Sequence, residues 1–267
     1  MESILSGFSR IEILEWNSVQ FISLHPDEYG LGGSWNNLKI EFKDIDKNGT
    51  VDILLTEPEN RTHDIWLQGH RRTYTKTYIW NGSEYALFNY ENAQPDYRFE
   101  AIQDADSFTN RQEFEKALTL YLDSINNPAL LSWSEATQFN FVQNIHVTEG
   151  NPTLTPPPSD PVEYPRLAAY AYYRIMLLYF VQGNESEAST TYSTLQEKFG
   201  NDSYAHPYVE MATAFWEAYQ STHKMYDGCA AAIQYAAEHP EILIPLGSDY
   251  HGWQSHTYVP EDVCPFR

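Results

Sequence analysis

The sequence predicts an α+β chain, with an N-terminal antiparallel β region followed by antiparallel helical hairpins. Three observations carry this. Up to about residue 100, apolar and polar residues alternate in short runs, the period of a half-buried strand. From about residue 108, apolar residues recur every three to four positions, the period of a helix face. Asn81-Gly82 separates two strand-like runs, a strong short-range hairpin signal. We place the boundary near residue 100: a β region with an acidic loop over 1–100, and a helical region over 101–267. The second region contains a proline-rich loop at 151–165 and an irregular C-terminal tail. Two halves of one rigid body fit the same pattern.

The strands follow in order. Ile11 to Trp16 and Val19 to Leu24 are short and partly alternating, as are Leu38 to Phe42 and Val51 to Leu55. Gly30, Gly32 and Gly33 mark a loop between two of them. Arg72 to Trp80 alternates over a long run and, across Asn81-Gly82, leads into Tyr85 to Phe88. Next, Phe114, Ala117, Leu118, Tyr121 and Leu122 share one helical face. Ser107 or Thr109 is placed to cap that helix, and Asn127-Pro128 to stop it. A second helix is predicted at Glu135 to Gln143. Six prolines between Pro152 and Pro165 then stiffen an extended polar stretch. Four further helices read as Leu167–Gln182, Glu185–Phe199, Tyr204–His223 and Asp227–His239, punctuated by Gly183, Gly200 and Pro240. The tail from Glu241 carries Tyr250, Trp253, Tyr258 and Phe266, aromatics suited to packing back on the helices.

Composition limits the function. The 267 residues include 16 Lys+Arg and 37 Asp+Glu, a formal charge of −21. Such a chain lacks the basic face that counterion release requires, so nucleic acid and anionic membrane are poor partners. Its 42% hydrophobic and 15% aromatic content is too high for a disordered acidic chain. The longest apolar stretch, Ile175 to Val181, is far short of a membrane span. Met1-Glu2-Ser3-Ile4-Leu5 lacks the basic start and apolar middle of a signal peptide. Cys229 and Cys264 leave the compartment open. They are the one possible intrachain pair in an exported protein and two ordinary thiols in a cytosolic one.

The sharpest motif is Asp44-Ile45-Asp46-Lys47-Asn48-Gly49-Thr50-Val51-Asp52. Side chains one, three, five and nine all carry oxygen, and glycine sits at six. A hard cation such as Ca²⁺ takes about 6–8 oxygen ligands. In a tight loop Asp44, Asp46, Asn48 and Asp52 can point inward while Ile45 and Lys47 point away. The Thr50 carbonyl is the natural ligand at position seven. Three carboxylates on one centre repel without a cation, whereas a plain hairpin turn needs only Asn48-Gly49. Position twelve is Leu55, where an EF-hand has a bidentate Glu, and the flanks read as strands. The loop resembles the calcium loops of FG-GAP and related VCBS repeats, whose D-x-D-x-[ND]-G-x-x-D pattern runs into an apolar strand. The resemblance covers residues 38–55 in a single copy, so no propeller follows. It implies a structural ion that pins a hairpin.

In the helical half, Tyr172, Ile175 and Tyr179 take the large positions of a tetratricopeptide-like unit. Gly183 falls at its turn, Ala188 at the small contact, and Tyr192 and Leu195 follow. A small residue there lets the second helix approach the aromatics of the first. Met176 departs from the pattern. A second unit begins with Tyr208, Met211, Ala212 and Phe215, with Ala230 and Ala231 as its small contacts and a turn that comes several residues late. Phe114, Ala117 and Tyr121 form half of an earlier one. About two and a half degenerate units are thus similar to tetratricopeptide repeats. An ordinary antiparallel bundle explains the same spacing, and only a repeat implies a concave groove.

As a whole, the calcium-type loop, the Tyr78-to-Gly82 hairpin and the helices ending in Cys-Pro-Phe resemble uncharacterised bacterial surface proteins or lipoproteins. That resemblance implies export to the cell surface or beyond, no known activity, and a Cys229–Cys264 disulfide. Other chemistry is thin. There is no H-E-x-x-H, G-x-S-x-G, phosphate loop or dinucleotide fingerprint. Ser221 to Lys224 matches S-x-x-K at a helix end with no second motif. His251 and His256, with Asp249 near, could bind a transition metal, though such a cluster in a Gly-rich tail is more often solvated surface. Asp104 and Asp106 could be a carboxylate pair, but standing just before a helix they read as its N-terminal caps. Five N-x-[ST] sequons begin at Asn48, Asn60, Asn81, Asn184 and Asn201, and Asn48 as a calcium ligand could not also carry a glycan. The expectation is a non-catalytic, exported, calcium-binding scaffold whose helices engage a protein or peptide partner, basic or neutral in charge. The alternative is a carbohydrate-binding module or secreted glycoside hydrolase, suggested by the aromatic and acidic load. Hydrolysis would need two carboxylates facing each other across a cleft.

Overall fold

The computed structural model describes residues 9–25, 31–34, 38–57, 72–133, 162–247 and 256–266. These form an N-terminal unit through Gln94 and a second unit from Pro95 onward. The chain is α+β, antiparallel strands first and helices after.

The first unit contains β1 (Ser9–Ile11), β2 (Leu14–Trp16), β3 (Phe21–Ser23), β4 (Leu31–Ser34), β5 (Lys39–Lys43), β6 (Asp52–Glu57), β7 (Tyr74–Trp80) and β8 (Tyr85–Asn92). β1 pairs with β4 and β2 with β3, while β5-β6-β7-β8 make a four-stranded antiparallel meander. Gly32 and Gly33 correct the sequence reading: they lie in β4, not in a loop, because the strand opposite supplies the pairing that lone glycines do not suggest. Gly30 lies outside the described residues. Alternation sets the core of this unit. Ile53, Leu55 and Tyr78 are buried, with Ile11, Ile13, Leu38 and Tyr85 packed on them. The β7–β8 hairpin turns through Asn81, whose Oδ1 accepts from the Ser83 and Glu84 N–H groups at 3.0 Å each. Gly82 there adopts φ 102°, a conformation that favours glycine.

The second unit contains α1 (Arg98–Asn110), α2 (Phe114–Asn126), α3 (Glu163–Val181), α4 (Glu185–Phe199), α5 (His206–Thr222) and α6 (Met225–Glu238). They pair as three hairpins: α1 with α2, α3 with α4, α5 with α6. α1 is absent from the sequence reading. Its first turn is closed by Glu100, whose Oε2 accepts from the Asp96 and Tyr97 N–H groups at 3.0 and 3.1 Å. Asp104 and Asp106 therefore lie inside α1 rather than ahead of a helix, and the capping role expected of them is not theirs. Ser107 and Thr109 belong to its last turns, and the residue that enters α2 is Glu113. The helix expected at Glu135 to Gln143 lies outside the described residues, as does the proline-rich stretch up to Pro161. The loop expected to run to Pro165 ends earlier, because α3 begins at Glu163 and takes Pro165 into its first turn. The missing N–H costs nothing there.

α5 and α6 are joined by His223 and Lys224 alone, so the late turn of the second repeat-like unit reflects a longer first helix. Its close contacts are Gly228, Cys229, Ala232 and Ala236; Ala230 is exposed and Ala231 half-buried. Gly228 sets that register, since a Cβ there would stand 2.7 Å from the Phe215 ring. The tail does pack back. Pro240–Ile242, Ile244–Leu246 and Pro260–Val263 form short 3-10 turns, with Ile242, Leu246, Tyr258, Val263 and Cys264 buried. Tyr250 and Trp253 lie outside the described residues. A disulfide joins Cys229 of α6 to Cys264 of the tail, with a Cα–Cα distance of 5.3 Å.

Candidate functional site

The acidic loop connects β5 to β6, whose register places Lys43 opposite Asp52. Two left-handed residues, Lys47 at φ 59° and Gly49 at φ 87°, fold it on itself. Its side chains are then held by its own backbone. Asp44 accepts from the Asn48 and Gly49 N–H groups, both at 3.0 Å. Asp46 accepts from the Asn48 N–H at 3.1 Å and from the Asn48 side-chain amide at 2.8 Å. Asn48 Oδ1 accepts from the Thr50 N–H at 2.7 Å. Asp52 Oδ2 accepts from the Ile45 N–H at 2.8 Å. The Tyr85 hydroxyl donates to the Val51 carbonyl at 3.0 Å and ties the loop's exit to the next hairpin.

This arrangement brings one carboxylate oxygen each from Asp44, Asp46 and Asp52 within 4.8 Å of one another. Asp44 and Asp46 are exposed, but Asp52 is fully buried. Its second oxygen, Oδ1, has no hydrogen-bond partner. A buried carboxylate oxygen without a donor costs on the order of several kcal/mol, unless a cation satisfies it. Asn48 and Thr50 stand in the same loop. The residue set read from the sequence therefore lies in one place, and its three carboxylates could hold a divalent ion.

A second polar cluster lies in the core of the helical unit. Asp106 Oδ1 accepts from the Tyr121 hydroxyl and pairs with Arg174 at 3.1 Å. Its Oδ2 accepts from Tyr170 at 3.0 Å and from Tyr258 at 2.5 Å. Arg174 also donates to the Asp262 carbonyl at 2.6 Å and the Val263 carbonyl at 3.2 Å. Burial, and then the Asp106 charge, pushes the Tyr121, Tyr170 and Tyr258 phenols well above their ordinary range, though Arg174 opposes this at Tyr121 and Tyr170. Burial opposes the Arg174 charge, yet Asp106 and the surrounding phenols hold its pKa up. Both oxygens of the carboxylate face donors, so the cluster joins α1, α2, α3 and the tail rather than meeting a substrate. Composition did not reveal it. The signal was Arg174 itself, a lone charge in the apolar run from Leu167 to Val181, which demands an inward partner.

The tail engages the first helix of each hairpin. Gln103 of α1 donates to the Leu246 carbonyl at 2.9 Å, Arg174 of α3 reaches Asp262, and Tyr208 of α5 donates to the Ile242 carbonyl at 2.7 Å. That side of the helices is thus filled by the chain itself. Of the remaining sequence motifs, Ser221 and Lys224 sit at the exposed end of α5. His256 bonds Asp262 at 2.9 Å, while Asp249 and His251 lie outside the described residues. Among the described residues, no helix is long and apolar enough to cross a membrane. No protein-family model, curated protein or solved structure matches the chain.

Proposed function

We propose that this chain is an exported scaffold in which Ca²⁺ pins the β5–β6 hairpin and the disulfide pins the helical unit, and that it works by binding rather than by catalysis. The observation that carries the calcium reading is Asp52, a fully buried carboxylate with one oxygen lacking a donor, grouped with the carboxylates of Asp44 and Asp46. Asp44, Asp46, Asn48 and Asp52 would supply side-chain oxygens and Thr50 its carbonyl. All are hard ligands suited to Ca²⁺. The Cys229–Cys264 bond supports export, because disulfides persist in oxidising compartments. The FG-GAP- or VCBS-like character of the loop and the tetratricopeptide-like character of the hairpins belong to the same reading. Since the tail fills one side of the hairpins, a basic or neutral protein or peptide partner would meet the helix surface that the tail leaves uncovered.

The test is calorimetric titration of Ca²⁺ into chelator-treated protein, paired with thermal unfolding. The reading expects one saturable site and a higher midpoint in calcium. An unchanged midpoint and no binding heat would overturn it.

A further inference from the structure

We infer that the free edge of β5 is a self-association site, where a second copy of this chain adds its own β5, antiparallel and in register about Ile40. The surface and the partner are both separate from the calcium reading.

The edge is open. β5 ends its four-stranded sheet, and among the described residues it pairs with β6 alone. An edge strand presents unpaired backbone N–H and C=O groups, a template for another chain. Its apolar face is unfinished as well. Ile40 lies opposite Leu55 and Phe42 opposite Ile53, so the four share one face of the sheet. Leu55 and Ile53 are buried, yet Ile40 and Phe42 remain 42% and 65% exposed. The apolar row runs to the edge and stops in solvent.

The sequence of the strand selects the occupant. Leu38-Lys39-Ile40-Glu41-Phe42 is its own antiparallel complement. When two copies centre on Ile40, Lys39 of each stands opposite Glu41 of the other. On the other face Leu38 meets Phe42, and Ile40 meets its own counterpart. Opposite charges directly across an antiparallel pair attract, and like charges repel. A slip of one residue sets Ile40 against Glu41 and mixes the two faces. A slip of two, in either direction, centres the pair on Glu41 or on Lys39, where like charges meet. The matched register is isologous, the geometry of a closed two-fold dimer. β8, at the other edge of the sheet, carries Glu91 and no base, so it has no such match. Within one chain Glu41 bridges Lys39 at 3.2 Å and Lys43 at 3.6 Å. Such surface pairs contribute little, so exchanging them across the edge is easy.

The experiment is sedimentation velocity over increasing concentration of the full chain, with calcium held constant. It compares wild type with Lys39→Glu, with Glu41→Lys, and with the variant carrying both. Lys39 is exposed and Glu41 half-buried on an edge strand, so the substitutions leave the core untouched. Unchanged circular dichroism checks this. Wild type should form dimers that grow with concentration. Each single change sets like charges opposite at both symmetric positions and should weaken dimerisation at least about tenfold. The double change reverses both signs and should restore it. A wild type that stays monomeric throughout, single variants that dimerise as well as wild type, or a double variant that fails to recover would each overturn the inference.

Discussion

The Tyr258 hydroxyl donates a 2.5 Å hydrogen bond to Asp106 Oδ2 across 152 residues of sequence. Through it the tail is fastened to the first helix of the helical unit, inside a buried cluster. A hydrogen bond to a buried charge contributes about 1.5–3 kcal/mol. Tyr258→Phe should lower stability by about that amount in denaturant unfolding, with Tyr121, Tyr170 and Arg174 still serving the carboxylate. Arg174→Met should cost more, about 3–5 kcal/mol, because it leaves Asp106 charged and uncompensated. Equal losses for the two variants would mean that Arg174 is not the counter-ion.

Alkali should unfold this protein through its tyrosines. Burial raises the pKa of Tyr121, Tyr170, Tyr173, Tyr208 and Tyr258, and Tyr219 is pushed up to about 12. The folded values exceed the unfolded value of about 10, so the native state holds its phenolic protons longer. Stability from these groups is fully present below pH ~10 and is lost as pH rises toward the folded values. Each buried phenol then contributes a slope of about −1.4 kcal/mol per pH unit. Phenolate absorbance should show these residues titrating only together with unfolding. Smooth ionisation of all tyrosines near pH 10 in folded protein would contradict the burial.

The sequence made the regular elements legible and hid those built from buried polar groups. Strand alternation and the Asn81-Gly82 turn placed β5 to β8. Apolar periodicity together with Gly183, Gly200 and Pro240 placed α3 to α6. α1 was hidden because Arg98, Glu100, Asp106 and Thr109 face inward among Phe99, Ala101, Ile102 and Ala105, so half of its buried face is polar. The same inward polarity concealed the Asp106 cluster, whose members lie on three helices and the tail. The acidic loop was legible because its oxygen-bearing side chains all come from nine consecutive residues. The packing of the tail over the first helices of the hairpins was not, since no local pattern specifies which face an irregular segment covers.

The disulfide should stabilise the tail without being its sole anchor. Cys229 and Cys264 are 35 residues apart, for which loop-closure entropy gives about 3–4 kcal/mol. Cys229→Ala with Cys264→Ala should cost about that much in denaturant unfolding. The tail should remain docked under native conditions, because Tyr258, Val263 and Leu246 are buried independently of the bond. Limited proteolysis reads this directly. Rapid cleavage near residues 256–266 in the double variant would show that the bond alone holds the tail.

Gly228 meets Phe215 where α5 and α6 cross. An added Cβ would stand 2.7 and 2.9 Å from two ring carbons, and the ring is fully buried and cannot swing away. Alanine gains about 1 kcal/mol of helix propensity over glycine but must push the helices apart, at about 1–3 kcal/mol. Gly228→Ala should therefore be neutral to destabilising by about 2 kcal/mol, and Gly228→Val clearly worse. A stabilised alanine variant in denaturant unfolding would show that the crossing is looser than this geometry.

Asp52→Asn distinguishes a metal site from an acidic turn. The side-chain oxygen of the introduced asparagine can keep the hydrogen bond from the Ile45 N–H, while its amide group replaces the donorless Oδ1. One of three mutually repelling charges is gone. In EGTA the variant should thus melt at or above the wild-type midpoint. In calcium the order should reverse, since wild type gains about 2.7 kcal/mol when the free ion is a hundredfold above its dissociation constant and the variant gains little. Melting curves of both proteins with and without calcium contain the whole test. If the variant retained the wild-type calcium shift, Asp52 would not be a ligand and its burial would need another cause.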